Sequence, residues 1–382
     1  MKILRSIHTV NPAVGGPIES VRQSSALLAR RGHQVEIVTL DLPDDPWTRE
    51  MPVPVHALGE TRSSYGYSKR FLPWLQERRR DYEIVIVQGV WQYSSFGVGR
   101  ALHGSATQYV VFPHGMLDPW FKRTYPLKHL KKLLYWPWAE SRVLRDAAGV
   151  LFTSEEERRL ARESFPFYRC KEVVVNYGTA APEMDLDAAR EEFLQRWPQL
   201  RGKRLLLFLS RLHEKKGCDL LLEAFAKVRR DDLHLVIAGP AAEESYLATL
   251  QRLAAAGAAP VTFTGMLSGN LKWGAFRAAD VFVLPSHQEN FGIAVVEALA
   301  SGTPVLISNK VNIWREIVDD GAGFAEEDDL SGTARLLARW LALSESETAA
   351  MRAAAGRSFA ARFELERAVD HLEQVLAQAM GQ

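Results

Sequence analysis

Cysteine is nearly absent from this 382-residue chain, which has two, Cys170 and Cys218. They lie far apart and form no CxxC pair. That excludes a disulfide framework and a cysteine zinc site, and it fits a reducing cytoplasm. Long apolar runs are missing too. None approaches the roughly 18 residues that a membrane-spanning helix needs. The opening "MKILRSIHTV" is too short and too polar for a signal peptide, and reads as a first strand. An excess of one charge is also missing. The formal net charge of +1 argues against a chain built as a whole to bind nucleic acid, and no nucleic-acid partner is expected. Several site signatures are absent as well. There is no Walker A loop, no GxSxG elbow and no His/Cys/Asp cluster at metal spacing. The first glycine loop is not GxGxxG, which counts against a dehydrogenase.

What is there is alternation. Strand-like runs ("KILRSIH", "QVEIVTL", "EIVIVQG", "TQYVVFPHG", "GVLFTS", "KEVVVNYG") are followed mostly by helical stretches. After "NYGTAAPEMD" the pattern restarts with "KRLLLFLSRL", "LHLVIAGP", "VTFTG", "DVFVLPS" and "TPVLIS". This order predicts an α/β protein of two Rossmann-like, doubly wound parallel-sheet domains. The expected division is 1–180 and 181–361, with a terminal helix over about 362–382 returning to the first domain. Charge is uneven along the chain, with a basic excess before about residue 190 and an acidic one after it.

In open parallel sheets, ligands bind beyond the carboxyl ends of strands. Four stretches in such positions carry candidate chemistry. In "ENFGIAVVE", Glu289 precedes a helix start at Asn290, Phe291 and Gly292, and Glu297 lies more than a turn beyond it. A helix start offers N–H groups and a positive dipole end to a phosphate. The span of about eight residues, roughly 12 Å along a helix, could set one acid on either side of a diphosphate. An unpaired carboxylate on a half-buried helix is costly, which suggests that a ligand meets these acids. A solvated loop acid and an exposed helix acid are the bland alternative. In "SRLHEKKG", Arg211 and Lys216 follow a strand and complement a diphosphate, unless they are only a solvated basic loop. Gly15 and Gly16 follow the first strand, as a close-approach loop or a plain turn. His114 follows another strand, and a lone histidine is often structural. "DLD" at Asp185–Asp187 resembles a metal-binding DxD. Its place in the expected linker makes it a helix cap instead.

The stretch 120–145 is basic and aromatic. Trp120, Trp136, Trp138, Leu130, Leu133 and Leu134 supply apolar surface beside Lys122, Arg123, Lys128, Lys131, Lys132, Arg142 and Arg145. It can be read as a peripheral contact with an anionic membrane, or as an ordinary amphipathic helix packed on its domain.

Together these motifs resemble the retaining enzymes of glycosyltransferase family 4, which have the GT-B fold: two Rossmann-like domains facing across a cleft. The resemblance covers most of the chain, in the family's order: "GG" at 15–16, "HG" at 114–115, "SRLHEKKG" with R-x4-K-G, and "ENFGIAVVE" with E-x7-E before "ALASGTPV". It implies a nucleotide diphosphate sugar as donor substrate and a glycan or lipid-linked acceptor. It implies no metal or other cofactor. Glu297 would bind ribose hydroxyls, and Glu289 the donor hexose or the charge near its anomeric carbon. Arg211 and Lys216 would hold the diphosphate. Asn290, Phe291 and Gly292 would offer backbone N–H groups, and His114 would touch the donor sugar. Gly16 would let the backbone approach the phosphate, with Gly15 beside it in the donor-binding loop, and Met266 would line the base pocket. Ser210, before Arg211, departs from the glycine of many members, and Trp314 has no assignment. The resemblance further implies transfer of a hexosyl group from a UDP- or GDP-sugar with retention, in surface polysaccharide or lipopolysaccharide assembly. The enzyme would be cytoplasmic or peripheral at the inner membrane face. A nucleotide-sugar epimerase and an inactive sugar-nucleotide-binding relative are the alternatives.

Overall fold

Runs of Val, Ile and Leu four to six residues long are too short for buried helices and too apolar for half-exposed strands. They suit parallel sheets covered on both faces. The computed structural model describes residues 1–228, 230–257 and 259–381. In it these runs form two all-parallel sheets. The first contains β1 (Lys2–Ile7), β2 (Gln34–Thr39), β3 (Val55–Ala57), β4 (Ile84–Gln88), β5 (Gln108–Phe112), β6 (Gly149–Phe152) and β7 (Glu172–Val174). Their order is β3-β2-β1-β4-β5-β6-β7. The second contains β8 (Arg204–Leu209), β9 (Leu233–Ala238), β10 (Val261–Gly265), β11 (Val281–Leu284), β12 (Val305–Ser308) and β13 (Gly323–Glu326), in the order β10-β9-β8-β11-β12-β13. Every residue of β4 and β9 is buried, as two-sided coverage requires.

The chain divides into two units accordingly, Met1–Gly178 with Leu365–Gln382, and Thr179–Glu364. In the first unit the strand order reverses between β1 and β4, and in the second between β8 and β11. At such a reversal the connections leave in opposite directions and open a crevice beyond the strand ends.

Polar contacts hold the terminal helix Leu365–Met380 in the first unit. The Arg31 guanidinium, just past the helix Gly16–Arg30, reaches Glu366 at 2.5 Å, Asp370 at 2.7 Å and Glu373 at 2.7 Å. His33 Nε2 meets Glu373 Oε1 at 2.6 Å. Asp185 caps the helix Leu186–Arg196, accepting from the Asp187 and Ala188 N–H groups. That helix belongs to the second unit, so "DLD" opens a folded element rather than lying in a linker.

The segment 120–145 is not one amphipathic helix. It folds as three short ones, Trp120–Thr124, Pro126–Tyr135 and Glu140–Asp146. Trp136 leaves the surface altogether. It is buried, and its Nε1–H donates to the Pro166 carbonyl at 2.9 Å. Leu133 packs against the core, whereas Leu127, Leu130, Leu134 and Trp138 remain exposed.

Candidate active site

In the second unit, the loops leaving β8 and β11 lie side by side at the strand-order reversal. After β8, Ser210 and Arg211 lead into a short turn, Glu214–Lys216, capped by His213, whose Nδ1 accepts from the Lys215 N–H at 3.1 Å. Gly217 ends the turn with φ of +65°. A Cβ there would stand 2.2 Å from the Pro285 carbonyl oxygen, so only glycine lets the two loops approach this closely. The Lys215 carbonyl accepts from the His287 N–H at 2.8 Å and from the Ser286 hydroxyl at 2.9 Å. The loop after β11 is fixed on its other side as well. The Glu289 N–H donates to the Lys310 carbonyl at 2.9 Å, and the Asn312 N–H to the Glu289 carbonyl at 3.0 Å.

This scaffold holds an ion pair. Lys216 Nζ bonds the Glu289 carboxylate, and both side chains are largely buried, at 13 and 20 % exposure. Burial alone would raise the Glu289 pKa. Lys216, with help from Lys215, outweighs it and holds the carboxyl below its ordinary value. A second ion pair lies one helix further on. Glu297, in the helix Ile293–Ala300, is 5 % exposed, and its Oε1 is 2.7 Å from Lys272 Nζ in the helix Gly269–Ala278. The expectation that both acids wait unpaired for a ligand is therefore corrected, because the chain itself supplies a lysine to each. Val295 to Leu299 are all buried, so Glu297 lies in the helix's buried surface and is not the exposed helix acid of the bland alternative.

The other candidates in this unit have distinct settings. Gly292 caps that helix with φ of +78°. Phe291 is buried edge-on against Phe363, with ring centroids 5.9 Å apart. Asn290 Oδ1 accepts from Asn312 Nδ2 at 3.2 Å. Arg211 is exposed and makes no ion pair among the described residues. Met266, just past β10, is 74 % exposed. Trp314 opens the helix Trp314–Asp319 and carries the Arg315 guanidinium over its ring at 4.2 Å. Lys272 is the participant that sequence reading missed. A signal was present, since it follows the loop after β10 and so stands near a strand's carboxyl end.

His114, Gly15 and Gly16 belong to the first unit. Gly15 has φ of +107°, and nothing lies within 4 Å of a Cβ built there, so the turn is open. Gly16 starts the helix Gly16–Arg30. His114 follows β5 with φ of +51°. Its Nε2 meets Gln88 Oε1 at 2.6 Å, so Nε2–H is the donor and Nδ1 is left as an acceptor. Its ring stacks on Phe112 and meets Tyr177 edge-on. Burial, reinforced by the Arg5 charge, pushes its pKa down to about 4. The folded value lies below the ordinary 6.5, so the unfolded chain takes up this proton first as pH falls. The associated stability is complete above pH 6.5 and is lost between 6.5 and 4. The ring keeps some solvent access, so the loss is at most about 3 kcal/mol. Urea unfolding of His114→Gln at pH 7 and pH 4.5 should show a smaller pH dependence than the parent. An unchanged pH dependence would mean that the imidazole titrates normally.

Two family models match the chain. One, described as Glycosyl transferase 4-like domain, covers residues 15–178, and the other, Glycosyl transferases group 1, covers 189–358. Alpha-monoglucosyldiacylglycerol synthase of Streptococcus pneumoniae is 28 % identical over 364 residues, spanning 87 % of this chain and 77 % of that one. Phosphatidyl-myo-inositol mannosyltransferase of Mycobacterium leprae is 25 % identical, over 80 % of this chain and 78 % of that one. In fold, the chain matches Anabaena HepE, solved with UDP, at a TM-score of 0.80 and 16 % identity, over 99 % of this chain and 100 % of that one.

Proposed function

The chain belongs to glycosyltransferase family 4 and is a nucleotide-sugar glycosyltransferase of the GT-B type, and from that premise we propose a retaining hexosyltransferase acting on a lipid-linked or glycan acceptor. The observation that carries this reading is the doubled acid–lysine arrangement, with Lys216–Glu289 before the helix Ile293–Ala300 and Lys272–Glu297 more than a turn inside it. In the proposal the donor diphosphate lies at that helix start. Arg211 and Lys216 neutralise it, and Glu297 accepts from the ribose hydroxyls. Glu289 faces the hexose, Met266 lines the base, and Gly15 and Gly16 admit the phosphate. The neutral His114 contacts the sugar near its anomeric carbon. The acceptor oxygen bonds to that carbon on the face from which the phosphate oxygen departs. The carbon–phosphate-oxygen bond breaks, and the acceptor proton passes to the departing phosphate. Electrostatic stabilisation of the leaving group supplies most of the rate. The cationic side chains take the part of a divalent cation, so no metal is required.

Two relatives matched over more than three quarters of their length are named for a glucosyl-diacylglycerol product and for phosphatidyl-myo-inositol, and these names support a lipid-linked acceptor here. The exposed Leu127, Leu130 and Leu134 beside the lysines of 120–145 support a peripheral contact with an anionic membrane. Among the described residues no helix is long and apolar enough to cross one. We place the reaction at the cytoplasmic face of the membrane, in surface polysaccharide or lipopolysaccharide assembly.

A thermal-shift panel of UDP, GDP, ADP and dTDP tests the donor assignment. At about 100 times its dissociation constant, one nucleotide should stabilise the chain by roughly 2.7 kcal/mol. Glu297→Gln should lose most of that shift. If no nucleotide stabilises the parent, the donor site is wrongly assigned.

A further inference from the structure

The first unit contains a cavity of about 60 Å³ that the donor chemistry does not use. Lys122, Lys128 and Lys132 line it, with Phe121, Phe165 and Ser164. Its charge is predominantly positive, three lysines against one acid, Asp118. Across the chain, arginines such as Arg22, Arg159 and Arg362 pair with acids. The three cavity lysines make no ion pair among the described residues. Aromatic rings hold two of them instead. Lys132 Nζ lies 4.6 Å from the Trp91 ring centroid and 5.6 Å from that of Phe121, and Lys128 Nζ lies 4.7 Å from that of Tyr125. Such contacts position an ammonium without neutralising it. The acid on the wall, Asp118, accepts from the Trp120 N–H at 2.8 Å. Glu140, the acid that Lys132 senses, spends one oxygen on the Trp91 N–H and the Ser95 hydroxyl. Burial pushes the Lys132 pKa down to about 8, so an anion in the cavity would restore its full charge. Ser164 adds an independent sign. It is 3 % exposed, lines the cavity, and its hydroxyl has no hydrogen-bond partner among the described residues. A buried hydroxyl left without a partner carries a desolvation cost that a ligand oxygen would remove.

The same helix presents a different chemistry outward. In Pro126–Tyr135, Lys128 and Lys132 are one turn apart on the cavity flank, and His129 is buried. Leu127, Leu130 and Leu134 form a separate stripe, 79, 56 and 73 % exposed. Three leucines in water on one short helix, next to a cationic cavity, complement a molecule with an anionic head and an apolar body.

We propose that this cavity binds the phosphate of a membrane lipid, with Lys122, Lys128, Lys132 and the Ser164 hydroxyl as its ligands and the Leu127, Leu130 and Leu134 stripe set among the acyl chains. Free inorganic phosphate would use the cavity but leave the leucine stripe without a role. The inference rests on the membrane part of the proposal above and is independent of the donor site.

The test uses the full chain and three probes: dihexanoyl phosphatidic acid below its micellar concentration, inorganic phosphate, and phosphatidylcholine vesicles with or without phosphatidic acid. Tryptophan fluorescence reads soluble binding, and sedimentation reads vesicle binding. The short-chain lipid should bind saturably, at one site. Lys128→Gln/Lys132→Gln should weaken it by at least about tenfold. Ser164→Ala, which changes no charge, should weaken it by about threefold or more. Lys131→Gln, outside the cavity, should change it by less than about twofold. Leu130→Ser/Leu134→Ser should release the protein from vesicles and keep the short-chain affinity. If vesicles bind but the cavity variants lose no more than Lys131→Gln, diffuse charge explains the binding, and the cavity site is overturned while the membrane reading stands. If inorganic phosphate binds as tightly as the lipid, the lipid is overturned as the source of the phosphate. If no vesicle binds, this proposal and the membrane reading fall together, and the nucleotide panel still decides the donor site.

Discussion

Lys216→Met is expected to lower the unfolding free energy by about 3–5 kcal/mol, because it strands the Glu289 carboxylate in a largely buried site. The loops on both sides cannot relax to hydrate that carboxylate. The Gly217 turn is pressed against Pro285, and the Glu289 backbone is bonded to Lys310 and Asn312. The double variant Lys216→Met/Glu289→Gln removes the stranded charge and should recover at least half of the loss. Urea unfolding of the parent, both single variants and the double variant closes the cycle. If the double variant is as unstable as Lys216→Met alone, the damage comes from loop packing rather than from charge. The pair also has a pH signature. Glu289 sits below its ordinary value in the folded chain, so its contribution is present above about pH 4.5 and is lost as pH falls through its folded pKa.

The ion pairs mark the boundary of what sequence reveals. Strand runs such as "EIVIVQG" and "LHLVIAGP" declare themselves by composition, because a parallel strand covered on both faces has little choice of residue. The edge strands β3 and β13 escaped notice for the same reason. Val55–Ala57 is three residues long, lies behind Pro52 and Pro54, and is only half-buried, and Gly323–Glu326 ends in a glutamate. An edge strand has one neighbour and relaxed demands; the edges β7 and β10 still carry β-branched runs, whereas these two do not. At the site, the acids stood out against apolar surroundings, but their partners did not. Lys216 lies 73 positions from Glu289 and Lys272 lies 25 from Glu297, distances over which no periodicity reports. The basic segment misled in the opposite way. Its composition fits a basic amphipathic segment on a membrane or an amphipathic helix packed on its domain, but Pro126 and the bend through Trp136–Ala139 cut it into three helices, and only the middle one keeps an apolar stripe facing solvent.

Arg211 should behave in the opposite way to Lys216, and the contrast separates catalysis from folding. Its side chain is exposed and makes no ion pair among the described residues, so Arg211→Met should change stability by no more than about 0.5 kcal/mol. A cation past a strand end that makes no ion pair among the described residues costs the folded chain little to remove, and its value lies in what it meets later. If that is the departing diphosphate, Arg211→Met should lower kcat by about 10²–10³-fold, the scale for losing one donor to developing negative charge. Arg211→Lys should recover only part of this, because an ammonium cannot reproduce the guanidinium's two parallel hydrogen bonds. The division between kcat and KM decides the role. A fall in kcat with little change in KM means that Arg211 acts on charge that develops in the transition state. A rise in KM alone means that it holds donor and transition state equally and contributes binding only. Lys216 cannot be read this way, since its substitution damages the fold as well. Arg211 is therefore the position at which the chemistry of this site can be measured without first correcting for its stability.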